Sequence, residues 1–407
     1  MSTNRVKCDV LILGAGVIGI SIGIAYLEAH EGKKVFIVEK EDQIGKHASG
    51  RNSGVLHAGF YYSPDSLKAK FCRDGNSEMR LIAKEYGVPV EEVGKVVVTQ
   101  SEEEDSRLEV LLERGLKNGV ELELLPEKYL RTYEPLAITK NRFLWSPKTA
   151  VADQSLILDS LRRKFESLGG RIRVEEEVKL RVSGNQVHDS RNRYDCKLIV
   201  NAAGAQADRV SREIGVGVDY AMLPFMGVYR FTTQSQLALS RLVYPVPHPI
   251  NPFLGTHFTI TSNGLVKIGP TAIPILGREQ YTTWTGWSSA DVFQALKASA
   301  ALVKGEVHNF NSMLKSEWPK IFPSKLVEEA AKLVPSAAHI RRWDKKPSGI
   351  RSQLVHLDSG KLEQDFVVRQ HLNSVHVLNA VSPGWTSAIP FGRWVVKKYM
   401  RSDGNLD

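Results

Sequence analysis

Cys8-Asp9-Val10-Leu11-Ile12-Leu13-Gly14-Ala15-Gly16-Val17-Ile18-Gly19 reads as an apolar strand, a glycine turn and the opening of a helix that runs over residues 17–30. A second apolar strand follows over residues 34–39, so the segment forms a βαβ unit. The three glycines have separate tasks. Gly14 permits the tight turn, Gly16 lets backbone approach a pyrophosphate, and Gly19 lets the helix pack on its strand, while Val17 and Ile18 present helix-start N–H groups to an anion. Glu39 ends the second strand, where an acidic side chain accepts hydrogen bonds from an adenosine ribose, and Lys40 flanks it. FAD and NAD share the ADP half that such a loop holds, so the loop alone does not separate them.

The bulk properties restrict the field. A chain of 407 residues exceeds what one hydrophobic core usually supports, which predicts two domains. With 42% hydrophobic and 24% charged residues it is an ordinary globular chain rather than a disordered or fibrous one. Only three cysteines occur, Cys8, Cys72 and Cys196, without CxxC spacing, which argues against a disulfide framework or a thiolate metal site and favours a reducing compartment. We therefore expect no metal. The net charge of +9 is spread along the chain without a basic block, so nucleic acid is not the expected partner and an anionic small molecule is. Residues 10–26 are broken by glycines and too short to span a bilayer, and no signal or transit segment is visible at the N-terminus. A cytoplasmic protein is expected. The basic, apolar segment at residues 393–399 reads as the packed end of a last helix, with membrane contact peripheral at most.

Farther along, residues 66–86, 101–115 and 154–168 read as amphipathic helices, 171–187 as a small meander and 197–201 as a buried strand. Proline-punctuated strands between residues 222 and 269 predict an antiparallel sheet, followed by helices at 289–302 and 325–333. A strand at 374–378 leads into a final helix from about residue 386. The fold class expected is α/β (α+β overall), with a Rossmann-type dinucleotide-binding domain and an antiparallel second domain.

Beyond the glycine loop, the segment His47-Ala48-Ser49-Gly50-Arg51-Asn52-Ser53-Gly54-Val55-Leu56-His57-Ala58-Gly59 resembles the second FAD segment of the D-amino acid oxidase superfamily. Asn52-Ser53-Gly54, His57-Ala58-Gly59, Tyr61-Tyr62 and Ser66 to Lys70 resemble its L-2-hydroxyglutarate dehydrogenase/oxidase branch most. The likeness continues in order through Asn201-Ala202-Ala203-Gly204, Tyr244-Pro245-Val246-Pro247, the segment 252–259, Ile268-Gly269-Pro270, Gly349-Ile350-Arg351, Asp365-Phe366 and residues 379–390. It therefore spans almost the whole chain. The resemblance implies a non-covalently held FAD on a Rossmann-type domain assembled from residues 1–90, 150–220 and 349–407, with an antiparallel-sheet substrate domain inserted as 91–149 and 221–348. It also implies FAD contacts at Ser49, Arg51, Asn52, Ser53, Val178, Ala203 and Gly204, and at the turn Gly384, Trp385, Thr386 and Ser387. That turn would set a helix N-terminus against the pyrimidine side of the flavin, where N–H dipoles stabilise negative charge. A plain helix cap accounts for Thr386 and Ser387 equally well.

The activity implied is oxidation of a small L-2-hydroxy acid such as L-2-hydroxyglutarate, by hydride transfer from Cα to flavin N5 with oxygen or a quinone as acceptor. Such chemistry needs a base for the hydroxyl proton and a cationic fork for the carboxylate. His57 and His257 are the candidate bases, because imidazole titrates near neutral pH. Arg351 is the candidate clamp, suited to it by its planar donors. Tyr61, Tyr229, Tyr244 and Tyr281 are candidates for the substrate wall. This chain departs from the branch where Arg51 replaces a usual histidine, where Met226 replaces the arginine of Pro-Phe-Arg-Gly, and at Ser382-Pro383-Gly384-Trp385-Thr386. Oxidation of glycerol 3-phosphate or of an amino acid therefore stays open, as does a flavin-binding role without turnover.

Overall fold

The first strand, Asn4–Leu13, lies in the middle of a mostly parallel eight-stranded sheet. It pairs in parallel with Val35–Val38 on one side and with Asn192–Asn201 on the other. All four residues Val10–Leu13 are buried, as expected of a central parallel strand covered on both faces. Ser374–Asn379 extends the sheet beside Asn192–Asn201, and Arg171–Arg173 adds its edge in parallel with Val35–Val38. This is the computed structural model of the chain, and it describes residues 4–177, 179–180, 186–188, 192–248, 253–282, 285–305 and 307–400.

The helix Val17–Ala29 is apolar nearly all round, and its surroundings explain why. Sheet covers one face, and the helices Gln154–Ser167 and Ala388–Tyr399 cover the rest. Glycines permit the approach: a side chain at Gly23 would meet the Phe165 ring 2.6 Å away, and one at Gly392 would meet the Ser21 carbonyl oxygen at 2.7 Å. Phe165 and Phe391 are fully buried at these crossings. The last helix thus returns the C-terminal part of the chain to the first helix of the molecule.

The antiparallel part contains a second eight-stranded sheet, ordered Asp344–Lys345, Arg230–Thr233, Leu265–Gly269, His257–Ile260, Leu242–Pro245, Lys95–Val98, Arg142–Ser146 and Glu123–Pro126. Only Leu242–Pro245 against Lys95–Val98 is parallel within it. A four-stranded antiparallel sheet joins Ile273–Pro274, Tyr220–Gly227, Gly349–His356 and Lys361–Leu362. We propose the domain boundaries stated above on this basis, with Gly349–His356 at the seam: its pairing is with Tyr220–Gly227, and Arg351 stands opposite Phe225.

Two local expectations change. Residues 171–173 are not the first leg of a meander, because their partner is the parallel strand Val35–Val38 and the antiparallel hairpin begins only at Lys179–Leu180. Period-two alternation fits either pairing, so the sequence pattern did not choose between them. The helix expected at 289–302 runs on to Gly305, and a further helix at Val307–Glu317 was not expected; Phe310 and Met313 are buried on it.

Asp208 and Arg278 tie the two parts together. Asp208 is fully buried, accepting from Arg278 (Nη2 at 3.0 Å, with Nη1 on the other oxygen) and from Arg212 Nη1 at 3.2 Å. Arg278 also donates through Nε to Asp291 at 3.0 Å. Asp208→Asn leaves Arg278 buried with half its counter-charge, and is expected to lower stability by about 3 kcal/mol, measured as a shift in urea midpoint at unchanged slope.

Candidate active site

Gly14 has φ +104°, and a Cβ there would lie 2.6 Å from the Ala202 carbonyl oxygen. A Cβ at Gly19 would drive into the Gly14 carbonyl oxygen itself. Both positions therefore demand glycine, and the tight turn they allow delivers the start of the helix Val17–Ala29 to one end of a large cavity. No side chain caps that helix at Gly16. The Val17 N–H donates to Ser49 Oγ at 3.0 Å, which brings the second loop over the first. Glu39 accepts from Ala15 N at 2.9 Å and from Glu41 N at 3.1 Å, so its carboxylate is fixed beside the turn.

The cavity has a volume of about 800 Å3 and runs from this turn to the antiparallel sheets. Its near end includes Gly14, Gly16, Val17, Ile18, Glu39, Lys40, Ala203 and Gly204; its middle includes Ser49, Arg51, Asn52 and Ser53 opposite Gly384, Trp385 and Thr386. Asn52 donates to the Ser49 carbonyl at 2.7 Å and accepts from Gly54 N at 2.8 Å, which holds the loop's shape. Thr386 Oγ1 donates to the Val55 carbonyl at 3.2 Å and lies 3.3 Å from the His57 N–H, tying the final helix to the flavin-type loop. That helix, Ala388–Tyr399, has Ser387 at its N-cap without a side-chain cap bond.

The far end holds Arg351, His57, His257, Tyr229 and Tyr244. Among the described residues no hydrogen bond or ion pair engages the Arg351 guanidinium, which rests 4.8 Å over the Phe253 ring, and burial lowers its pKa. Burial also pushes the His257 imidazole down to about 3, with Lys95, Lys267 and Arg351 adding to the effect. Its Nδ1 lies 2.8 Å from the Gly255 carbonyl, which can only accept. Nδ1 therefore carries the proton and Nε2 keeps its lone pair. The ring stacks on Tyr244 at 3.8 Å. His57 is held well below the ordinary imidazole range by burial, Lys95, His257 and Arg351, and its buried Nδ1 has no hydrogen-bond partner among the described residues.

Of the residues singled out from sequence, Gly19, Ser387 and Tyr61 do not face the cavity. Gly19 packs helix against turn, Ser387 is buried at its helix start, and Tyr61 lies behind the cavity against Lys95. Val178 lies outside the described residues. Tyr281 stands at the middle of the cavity, 4.0 Å beneath the Arg51 guanidinium and hydrogen-bonded to His47 Nδ1 at 2.8 Å. His47 and Glu41 continue through Lys40 to Glu279, whose other oxygen accepts from Gln206 at 2.9 Å. This rim network, Phe253 under Arg351, and the buried Lys267, which donates to the Ser53 carbonyl at 2.7 Å, were not anticipated. Lys267 sits alone in an apolar strand, where nothing in the sequence signals a partner 214 positions away.

Comparison with known proteins gives a consistent answer. Residues 9–398 match the family described as "DAO: FAD dependent oxidoreductase". The chain is 31% identical to an L-2-hydroxyglutarate dehydrogenase of Indibacter alkaliphilus, covering 96% of this chain and 99% of that protein. It is 30% identical to the mitochondrial L-2-hydroxyglutarate dehydrogenase of Homo sapiens, over 95% and 88% of the two chains. Among solved structures, the L-α-glycerophosphate oxidase of Mycoplasma pneumoniae with FAD bound superposes with a TM-score of 0.76 at 23% identity, covering 98% and 97%. A glycine oxidase of Geobacillus kaustophilus gives 0.72 at 20% identity, over 98% and 96%.

Gly19→Ala forces the helix start away from the Gly14 carbonyl. The purified protein is expected to carry at least about tenfold less flavin per chain than wild type, read from its visible absorbance after removal of free cofactor.

Proposed function

The chain belongs to the DAO family of FAD-dependent oxidoreductases, and from that premise we propose that it oxidises L-2-hydroxyglutarate or a closely similar L-2-hydroxy acid. The observation that carries this reading is the buried, unengaged Arg351 guanidinium sharing one cavity end with two neutral histidines. The near-full-length relatives named for L-2-hydroxyglutarate support it.

The residues present suit FAD. The helix start spends the Val17 N–H on Ser49 Oγ, but with a glycine at its entry the other first-turn N–H groups can face a pyrophosphate, and the Glu39 carboxylate retains lone pairs for ribose hydroxyls. At the other end, Trp385 Nε1 is buried without a hydrogen-bond partner among the described residues, beside a helix N-terminus whose N-cap makes no side-chain bond. The cofactor, when bound, supplies the hydride acceptor.

Arg351 binds the C1 carboxylate through its fork of donors and thereby orients Cα. A buried guanidinium without a counter-ion is costly, and an incoming carboxylate relieves that cost, which is why a neutral alcohol binds poorly there. One of His57 and His257 accepts the hydroxyl proton as hydride leaves. Both imidazoles are neutral near pH 7, so the base is ready before substrate arrives. Tyr229 and Tyr244 wall the same end of the cavity. Electrons leave to oxygen or a quinone, and the place of action is the cytoplasm with peripheral membrane contact at most. The buried free thiols Cys8 and Cys196, on facing positions of neighbouring strands, support a reducing compartment.

Anaerobic mixing with a panel of L- and D-2-hydroxyglutarate, lactate, glycerol 3-phosphate and amino acids tests the substrate. The fastest bleaching of the flavin at limiting substrate is expected from L-2-hydroxyglutarate; preferential bleaching by glycerol 3-phosphate or an amino acid overturns the reading. Arg351→Met is expected to lower kcat/KM by at least about 100-fold, equal to ~2.8 kcal/mol, with flavin content unchanged. An imidazole lowered this far stays unprotonated above its pKa, so flavin reduction is expected to keep a flat kcat/KM down to about pH 5 rather than fall near pH 6.5. In stopped-flow comparison, loss of kcat in His57→Gln or in His257→Gln identifies which of the two is the base.

A further inference from the structure

Lys95 opens the strand Lys95–Val98 and is fully buried, yet it lies outside the cavity lining and, among the described residues, its Nζ has no hydrogen-bond partner. Three aromatic rings surround the nitrogen instead: Tyr61 at 4.4 Å, Phe60 at 4.5 Å and Tyr244 at 4.7 Å from their centroids. A buried amine without a carboxylate is an expensive choice for a core position where leucine or methionine would pack. Ring faces repay part of that cost only while the amine is charged.

The box has one further property. Tyr244 is the ring on which His257 stacks at 3.8 Å, and Phe60 and Tyr61 follow directly on the loop that carries His57. We propose that Lys95 is a positioning residue for the histidine pair, its ammonium clamping Tyr244 behind His257 and the Phe60–Tyr61 segment behind His57 and placing a positive charge behind both imidazoles. This rests on the reading that one of the two histidines takes the substrate proton.

The electrostatics support the geometry. Burial does most to hold His57 and His257 below the ordinary range, and Lys95 adds to it for both, together with Arg351 for both and Lys267 for His257. Burial brings Lys95 itself down to about 7, and the titratable group that favours its charge, Cys72, is a thiol pushed up to about 12. Below pH 7 the amine is therefore an ammonium. The positive charge is present in the range where an imidazole would otherwise take up a proton, and it keeps the base free there.

The test uses holoprotein labelled with 13C-histidine, with the His57 and His257 resonances identified from His57→Gln and His257→Gln. In Lys95→Met the protonation midpoint of at least one of them is expected to rise by about one pH unit, and the acid limb of flavin reduction to rise with it. Lys95→Arg, which keeps the charge, is expected to leave both midpoints in place, and Lys95→Gln repeats the neutral substitution with a smaller side chain. Unchanged midpoints in the neutral variants overturn the proposal. So does failure of both neutral variants to give folded flavoprotein, which would make Lys95 a structural residue only. If wild type is not bleached by any 2-hydroxy acid, the substrate reading fails while the histidine midpoints still decide the role of Lys95.

Discussion

The contact between Gly19 and the carbonyl of Gly14 sets the geometry on which the rest of the molecule depends. Because neither residue has a side chain, the helix Val17–Ala29 begins directly on the end of the first strand. That places the start of the helix at the carboxyl ends of the parallel strands, where an open α/β sheet has its crevice. Everything else is built against this turn. Ser49 reaches it from the second loop, Glu39 from the neighbouring strand, and the Ala202 backbone closes over it from a third segment. Three stretches distant in sequence converge because one tight turn leaves room for them.

The opposite end of the cavity follows a different logic. At and behind that end the fold buries positive charge without a carboxylate partner among the described residues: Arg351 over Phe253, Lys95 among three rings, Lys267 on a backbone carbonyl. Desolvation disfavours each cation and each protonated imidazole, and the cations disfavour the imidazolium form further. A buried, positive pocket with neutral imidazoles is poor for stability and attracts an anion. The aromatic rings are what let the fold hold it, since their faces attract cations without offering a hydrogen bond that would satisfy them.

Sequence reasoning named residues at both of these ends. The glycine turn and Glu39 were legible because each is a local motif with a mechanism tied to its spacing, whereas the Ser49–Ser53 loop was named by resemblance. His57, His257 and Arg351 were named by resemblance, and the cavity brings all three together. What escaped was non-local. Lys95 and Lys267 look like surface residues in a sequence, because a lysine in a strand gives no sign of whether its neighbours across the sheet are rings or water. Tyr61 was assigned to the cavity wall by its place in a motif, but it turns toward Lys95 instead. The parallel pairing of Arg171–Arg173 was missed for the same reason, since alternation records a face and not a partner.

The two ends must also keep a fixed separation, and apolar packing alone sets such a distance loosely. Here directional groups do it. Arg278 reaches from the inserted part to grip Asp208 through two donors while its Nε holds Asp291, and the adjacent Glu279 engages Lys40 and Gln206 on the near side. Two residues on, Tyr281 bonds His47 and lies under Arg51. A single short segment, residues 278–281, thus carries an ion pair, a hydrogen-bonded carboxylate and a stacked ring onto three separate parts of the dinucleotide-binding side. A planar guanidinium accepts a partner in few orientations, so this seam specifies angle as well as distance. The residues lining the two ends of the cavity come from different sheets and loops, and this polar seam joins the parts that carry them.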